Sequence, residues 1–164
     1  MLGIEVKNTR EWIHVDSEEV HKLPIKTLAL DMVPVLIARR ISYVTMRIFT
    51  DCGILAHQTY NQRYPPGRET LATQAANKHL LGYHDIRVGT DPDARMTRFF
   101  ESLLPHLVSD ARSKFDSVKH LLGPFANREM TYKEFYTELQ IELGRWTRSR
   151  DHDEDDTFIE DEDG

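Results

Sequence analysis

A chain of 164 residues with 40% apolar side chains and a single cysteine can bury one sizeable core, which excludes a disulfide-stapled miniprotein. Its formal charge of −6 is unevenly placed: Asp151 to Gly164 hold nine of the 27 acidic residues and none of the 21 Lys and Arg, leaving 18 acids against 21 bases before them. No apolar run approaches the roughly 20 residues of a membrane helix, because Asp31 interrupts Leu28 to Ala38 and Arg39 and Arg40 close it.

One globular domain over residues 1–149 is expected, followed by an acidic tail over 150–164 whose charge density and few apolar groups predict disorder. The opening MLGIEVKNTREW has neither the basic and continuous apolar regions of a secretory signal nor the composition of a transit peptide. With Cys52 as the lone thiol, this points to the cytoplasm or another intracellular setting, the inside of a virion or other large assembly included. Cys52 itself reads as a small, half-buried hydrophobe.

Taken in chain order, Leu2 to Lys7 alternates apolar and polar residues, and Trp12 to Val15 does so again after the turn-prone Asn8, Thr9 and Arg10, which predicts a β-hairpin. From Ile25 onward Leu30, Val33, Ile37, Ile41, Val44 and Ile48 recur at three and four, the spacing of a long helix that Pro34 would kink. Residues 41–50 are also rich in β-branched and aromatic types, so a helix to Arg40 followed by a strand is the competing reading. Asn61 to Arg68, with Pro65, Pro66 and Gly67, reads as a surface loop. Glu69 to Leu81 reads as a short helix with a small-residue face, stopped by Gly82.

Asp91 is the expected cap of the next helix, with Pro92 at its first position, and Met96, Phe100, Leu103, Leu107, Ala111, Phe115, Val118 and Leu122 form its apolar stripe. Pro105 should bend or divide it, and Gly123 with Pro124 should end it. Thr131 and Glu134 form a capping box ahead of Tyr132, Phe135, Leu139, Leu143 and Trp146. The expected fold class is therefore α+β, mostly α-helical: an N-terminal β-hairpin, about four helices and a disordered acidic C-terminal tail.

Chemistry leaves little trace. None of the eight histidines has a partner at metal-ligand spacing; His106 and His120 would lie about 21 Å apart along one helix at 1.5 Å per residue. Glycine-rich phosphate loops, a nucleophile elbow and the alternating oxygen ligands of a calcium loop are all missing. The reading is of a protein without catalytic residue, cofactor or metal ligand, hence not an enzyme.

Two patterns carry the functional expectation. Between Arg39 and Arg150 there are 17 Lys and Arg against 12 Asp and Glu, and Arg39, Arg40, Arg47, Arg63 and Arg68 are the leading candidates for a phosphate-binding face, since guanidinium contacts phosphate oxygens bidentately. In the tail, Phe158 and Ile159 stand among Asp155, Asp156 and Glu160, an apolar anchor flanked by acids that suits a basic-rimmed pocket on a partner protein. The expected role is a non-enzymatic protein-interaction or assembly subunit of a larger complex, binding other protein subunits or itself and not a membrane. The alternative is a nucleic-acid-associated accessory protein whose arginine face the tail masks.

Overall fold

The computed structural model describes residues 1–146; the acidic tail, with Phe158, Ile159, Asp155, Asp156 and Glu160, lies outside the described residues. Strand β1 (Leu2–Lys7), helix α1 (Glu18–Ala29), strand β2 (Val33–Ala38), helix α2 (Tyr43–Asp51) and strand β3 (Leu55–Gln58) follow one another, and the strands form a parallel sheet in the order β1-β2-β3. Parallel neighbours need a crossover between them, and α1 and α2 supply it. A second parallel pair joins β4 (Gln62–Tyr64) to β5 (Ile86–Val88) across helix α3 (Glu69–Ala76). Short helix α4 (Ala94–Arg98), a π-helical turn (Phe99–Leu103), long helix α5 (Leu104–Ala126) and helix α6 (Tyr132–Glu142) complete the fold.

The α+β class with helix predominating therefore stands, and so does the N-terminal strand, but its partner differs from the expected hairpin. β1 pairs in parallel with β2, register Leu2 to Val33 through Lys7 to Ala38. Around Trp12 to Val15 the chain forms only a single parallel bridge, in which Ile13 N donates to Arg40 O and Ile13 O accepts from Ser42 N.

The long kinked helix is replaced by helix, strand and helix. Val33–Ala38 is buried on both faces, and a run that is apolar at every position fits a period of two as well as one of 3.6. Asp31, at φ 49°, makes the turn that ends α1, a left-handed conformation short acidic side chains tolerate. Pro34 is accommodated within β2 because the pairing with β3 starts one residue later, at Val35 opposite Leu55. Its missing N–H falls where no ladder bond is due. Residues 43–51 are helical: Ser42 caps α2 by accepting from Thr45 N.

Further along, three local expectations shift. Gln62–Tyr64 of the expected loop is a strand; Asp93 rather than Asp91 is the helix cap, its carboxylate accepting from Arg95 N and Met96 N; and α5 runs through Gly123 and Pro124 to Ala126. Buried Phe125 and Ala126 hold that last turn in place although Pro124 cannot donate to it. The π-helical turn comes immediately before Leu104 and Pro105, where the proline interrupts the regular ladder, so the expected division of the helix is found there. The capping box at Thr131 and Glu134 forms as read, both reciprocal bonds being present.

The main core lies on the face of the sheet that carries Leu36 and Ala38, where Leu23, Phe49, Phe115, Val118, Leu122, Phe135 and Leu139 close around it and Phe125 stacks on Phe135 at 4.2 Å. Against the opposite face, Val35 meets Phe99 and Leu104 with Leu2 and Leu55 at the margin. Gly53 lets α5 approach β3: it has φ 69°, and a Cβ there would lie 2.2 Å from Ala111 O and 2.6 Å from Phe115 N. Gly67 also has positive φ, 86°, but open space around it. Gly67→Ala should therefore cost only about 1 kcal/mol of backbone strain. Gly53→Ala should exceed that by at least about 2 kcal/mol because backbone must move to make room. Urea unfolding of the two variants measures the difference.

Candidate functional site

Because β1 is an edge strand, its alternation produces two different faces on one exposed ladder. Leu2 is drawn into the small cluster around Val35 and Phe99, whereas Ile4 and Val6, on the same side, are 49% and 64% exposed. Parallel sheets ordinarily have both faces covered, so two large β-branched residues left in water at an edge are the main irregularity of this surface.

On the other side of β1, Glu5 and Lys7 meet α1. Lys7 Nζ lies 3.0 Å from Glu5 Oε1 and 3.6 Å from Glu19 Oε1, and Lys26 Nζ donates to Glu5 Oε2 at 2.9 Å. Partial burial raises the Glu5 pKa, but the hydrogen bonds and charges of Lys26 and Lys7 outweigh it and hold the carboxyl below its usual range. Hydrogen bonding to Glu5 in turn raises Lys7. Glu18 and Glu19 stand in the first turn of α1, where the helix dipole favours acids. Two carboxylates and two ammonium groups thus offset one another between β1 and α1. Among the described residues no group of three or more His, Cys, Asp or Glu side chains is placed to hold a metal ion.

The candidate arginines have separate destinations. Arg39 is buried, its Nε 2.5 Å from Asp85 Oδ2 and its Nη1 donating to Arg10 O. Arg10 reaches the other oxygen of Asp85 at 2.6 Å, donates to Gln62 Oε1 and lies with its Cζ 3.3 Å from the centre of the Tyr83 ring. This cluster ties the loop after β1 and the end of β2 to the β4–β5 pair. Arg63 donates to Asp91 O and pairs with Asp93 at 3.3 Å, while Arg40 sits over Trp12. Arg47 and Arg68 are exposed, on α2 and just before α3. Tyr60 lies under Arg95.

The expected helix stripes are mostly consumed inside the molecule: Phe115, Val118, Leu122, Phe135 and Leu139 are core, and Leu103, Leu107, Tyr132 and Trp146 are what those segments show to solvent. Cys52 is fully rather than half buried, and burial pushes its thiol up, away from the thiolate. His57 stacks on Phe99 at 4.7 Å, and burial lowers its pKa. Sequence reasoning passed over Glu5, Lys7, Glu19 and Lys26. The signal was present as Glu5-Val6-Lys7, whose charges share one face of a strand, but Glu19 and Lys26 join them only through the α1 crossover.

Comparison with protein families, with curated proteins and with solved structures finds no match.

Asp85 yields a pH prediction. Burial raises its pKa, yet the Arg39 hydrogen bond and the charges of Arg39 and Arg10 outweigh that and keep it depressed. The stabilisation is fully present above the unfolded value of about 3.9 and is lost as pH falls through the lower folded value. Asp85→Asn should lower stability at neutral pH and flatten its decline in acid, as read by chemical denaturation from pH 7 to pH 3.

Proposed function

We propose that this protein is a non-enzymatic assembly subunit that joins other protein subunits by adding a strand to the open edge of β1. The observation that carries this reading is the pair Ile4 and Val6, uncovered on an edge that no strand among the described residues pairs with. Extended segments bind such edges through main-chain hydrogen bonds and gain specificity from alternate side chains. The helical stripes are mostly occupied by the core, so the docking surface is assigned to the strand edge. No described helix is long and apolar enough to cross a membrane. In its native source the tagged full chain should run in a species larger than its 19.1 kDa monomer, and Val6→Lys should shift it towards monomer size. A native species of monomer size would contradict the proposal.

A second reading, association with nucleic acid, is favoured by a different observation: Lys7 and Lys26 beside Glu5 and Glu19. Here the two lysines contact phosphate oxygens. Lys7→Gln should weaken binding of a short labelled duplex about tenfold, the loss of one charge-assisted hydrogen bond. If neither the full chain nor one ending at Arg150 binds the duplex at about 50 mM salt, where phosphate contacts are strong, this reading falls.

A further inference from the structure

Among the described residues no strand pairs with the outer side of β1, and its backbone specifies how that edge can pair. Val33 N donates to Met1 O, and Leu2 stands opposite Val33 in a parallel register. In such a ladder Gly3, Glu5 and Lys7 direct their N–H and C=O groups to β2, and Leu2, Ile4 and Val6 direct theirs to the open edge. The residues with outward backbone groups are thus the ones whose apolar side chains include the exposed Ile4 and Val6.

We infer that this edge pairs antiparallel with the β1 edge of a second copy, Val6 facing Val6 across a two-fold axis and Glu5 of each copy opposite Lys7 of the other. The inference rests on the assembly reading above and names its partner. Symmetry restricts the choice of register, because residues opposite one another must lie on the same face of the joined sheet. Centring the axis on Glu5 sets two carboxylates against each other. An axis on Ile4 places Glu5 opposite Gly3 and Lys7 opposite Met1, leaving the charges without cross-strand partners.

Centring on Val6 makes the two Val6 residues exchange both backbone hydrogen bonds. It also puts Glu5 and Lys7 in the non-hydrogen-bonded positions, where opposed Cα atoms are only about 4.5 Å apart and side chains meet most closely. Two equivalent ion pairs follow from one sequence feature. Within each copy Glu5 and Lys7 already pair at 3.0 Å, and Glu5 keeps Lys26 and Lys7 keeps Glu19, so the cross-strand pairs share these groups with the existing cluster. On the opposite face, Ile4 and Val6 of both copies come together.

The test uses purified full chain in sedimentation equilibrium from micromolar to high micromolar concentration. Its mass should rise from 19.1 kDa towards twice that value. Glu5→Lys gives a strand with lysine at both positions and Lys7→Glu one with glutamate at both, so each should dimerise at least about tenfold more weakly than the natural chain. Mixed in equal amounts, the two variants should form a heterodimer, because every cross-strand pair is then of opposite charge. Val6→Pro removes only outward-facing donors and should abolish the dimer while circular dichroism keeps the native spectrum; it decides the matter if either charge variant unfolds.

A chain that stays monomeric throughout, a dimer untouched by Val6→Pro, or folded charge variants that do not complement each other on mixing would each overturn the inference. A purified monomer that still enters a larger species in its native source would overturn the second copy as partner and leave the assembly reading in place. Monomers in both settings would remove both.

Discussion

The six residues Val33 to Ala38 lie out of water on both faces of the sheet, and the arrangement of the other elements follows from that burial. Each of Val33, Val35, Leu36 and Ile37 contributes about 1.5–3 kcal/mol on leaving water, provided something covers both sides. The helices with Phe49, Phe115 and Val118 cover the side of Leu36, and the π-helical turn with Phe99 and the start of α5 with Leu104 cover the side of Val35. Parallel pairing on both flanks then requires crossovers, which places α1 and α2 in the sequence between the strands. The cover is generous over β2 and thin over the far end of β1, where Ile4 and Val6 emerge.

Charge is distributed by the same logic. The arginine excess suggests a phosphate-binding surface when read as a list, yet Arg10 and Arg39 close on Asp85, Arg63 on Asp93, and Arg145 makes a two-pronged contact with Asp51 at 2.7 and 2.8 Å. These guanidinium groups join loops and helix ends that the small sheets cannot hold by themselves. Breaking such a partly buried pair costs more than forming it gains, because the remaining charge is left without its partner in a poorly solvated place. The ion pairs of Glu5, Lys7, Glu19 and Lys26 differ: they lie at the edge of the sheet, beside the strand whose backbone is free to accept another.

Where a single local rule decides the structure, the sequence was legible. The Thr131 capping box, the strand at Leu2–Lys7, the interruption near Pro105 and the helical class all follow from spacing and capping chemistry within a few residues. The hairpin and the long helix failed for a shared reason. Alternation identifies a strand but not its partner, and an all-apolar run carries no period, so only burial on both faces distinguishes β2 from a helix. Asp93 displaced Asp91 as cap because Pro92 can precede a helix as well as begin one. Of the functional surface, Glu5 and Lys7 were within reach of a period-two reading, whereas the role of Arg39 depends on Asp85, 46 positions away.

Among the described residues β1 has one paired and one open side, a property of individual backbone amides. Residue-resolved hydrogen exchange along Leu2 to Lys7, followed as protein concentration rises, measures it directly. The expected pattern is protection of the Gly3, Glu5 and Lys7 amides at every concentration, with the Ile4 and Val6 amides gaining protection as copies associate. Amides of Ile4 and Val6 that exchange freely at all concentrations would contradict the pairing, and no difference between odd and even residues would contradict the edge strand itself.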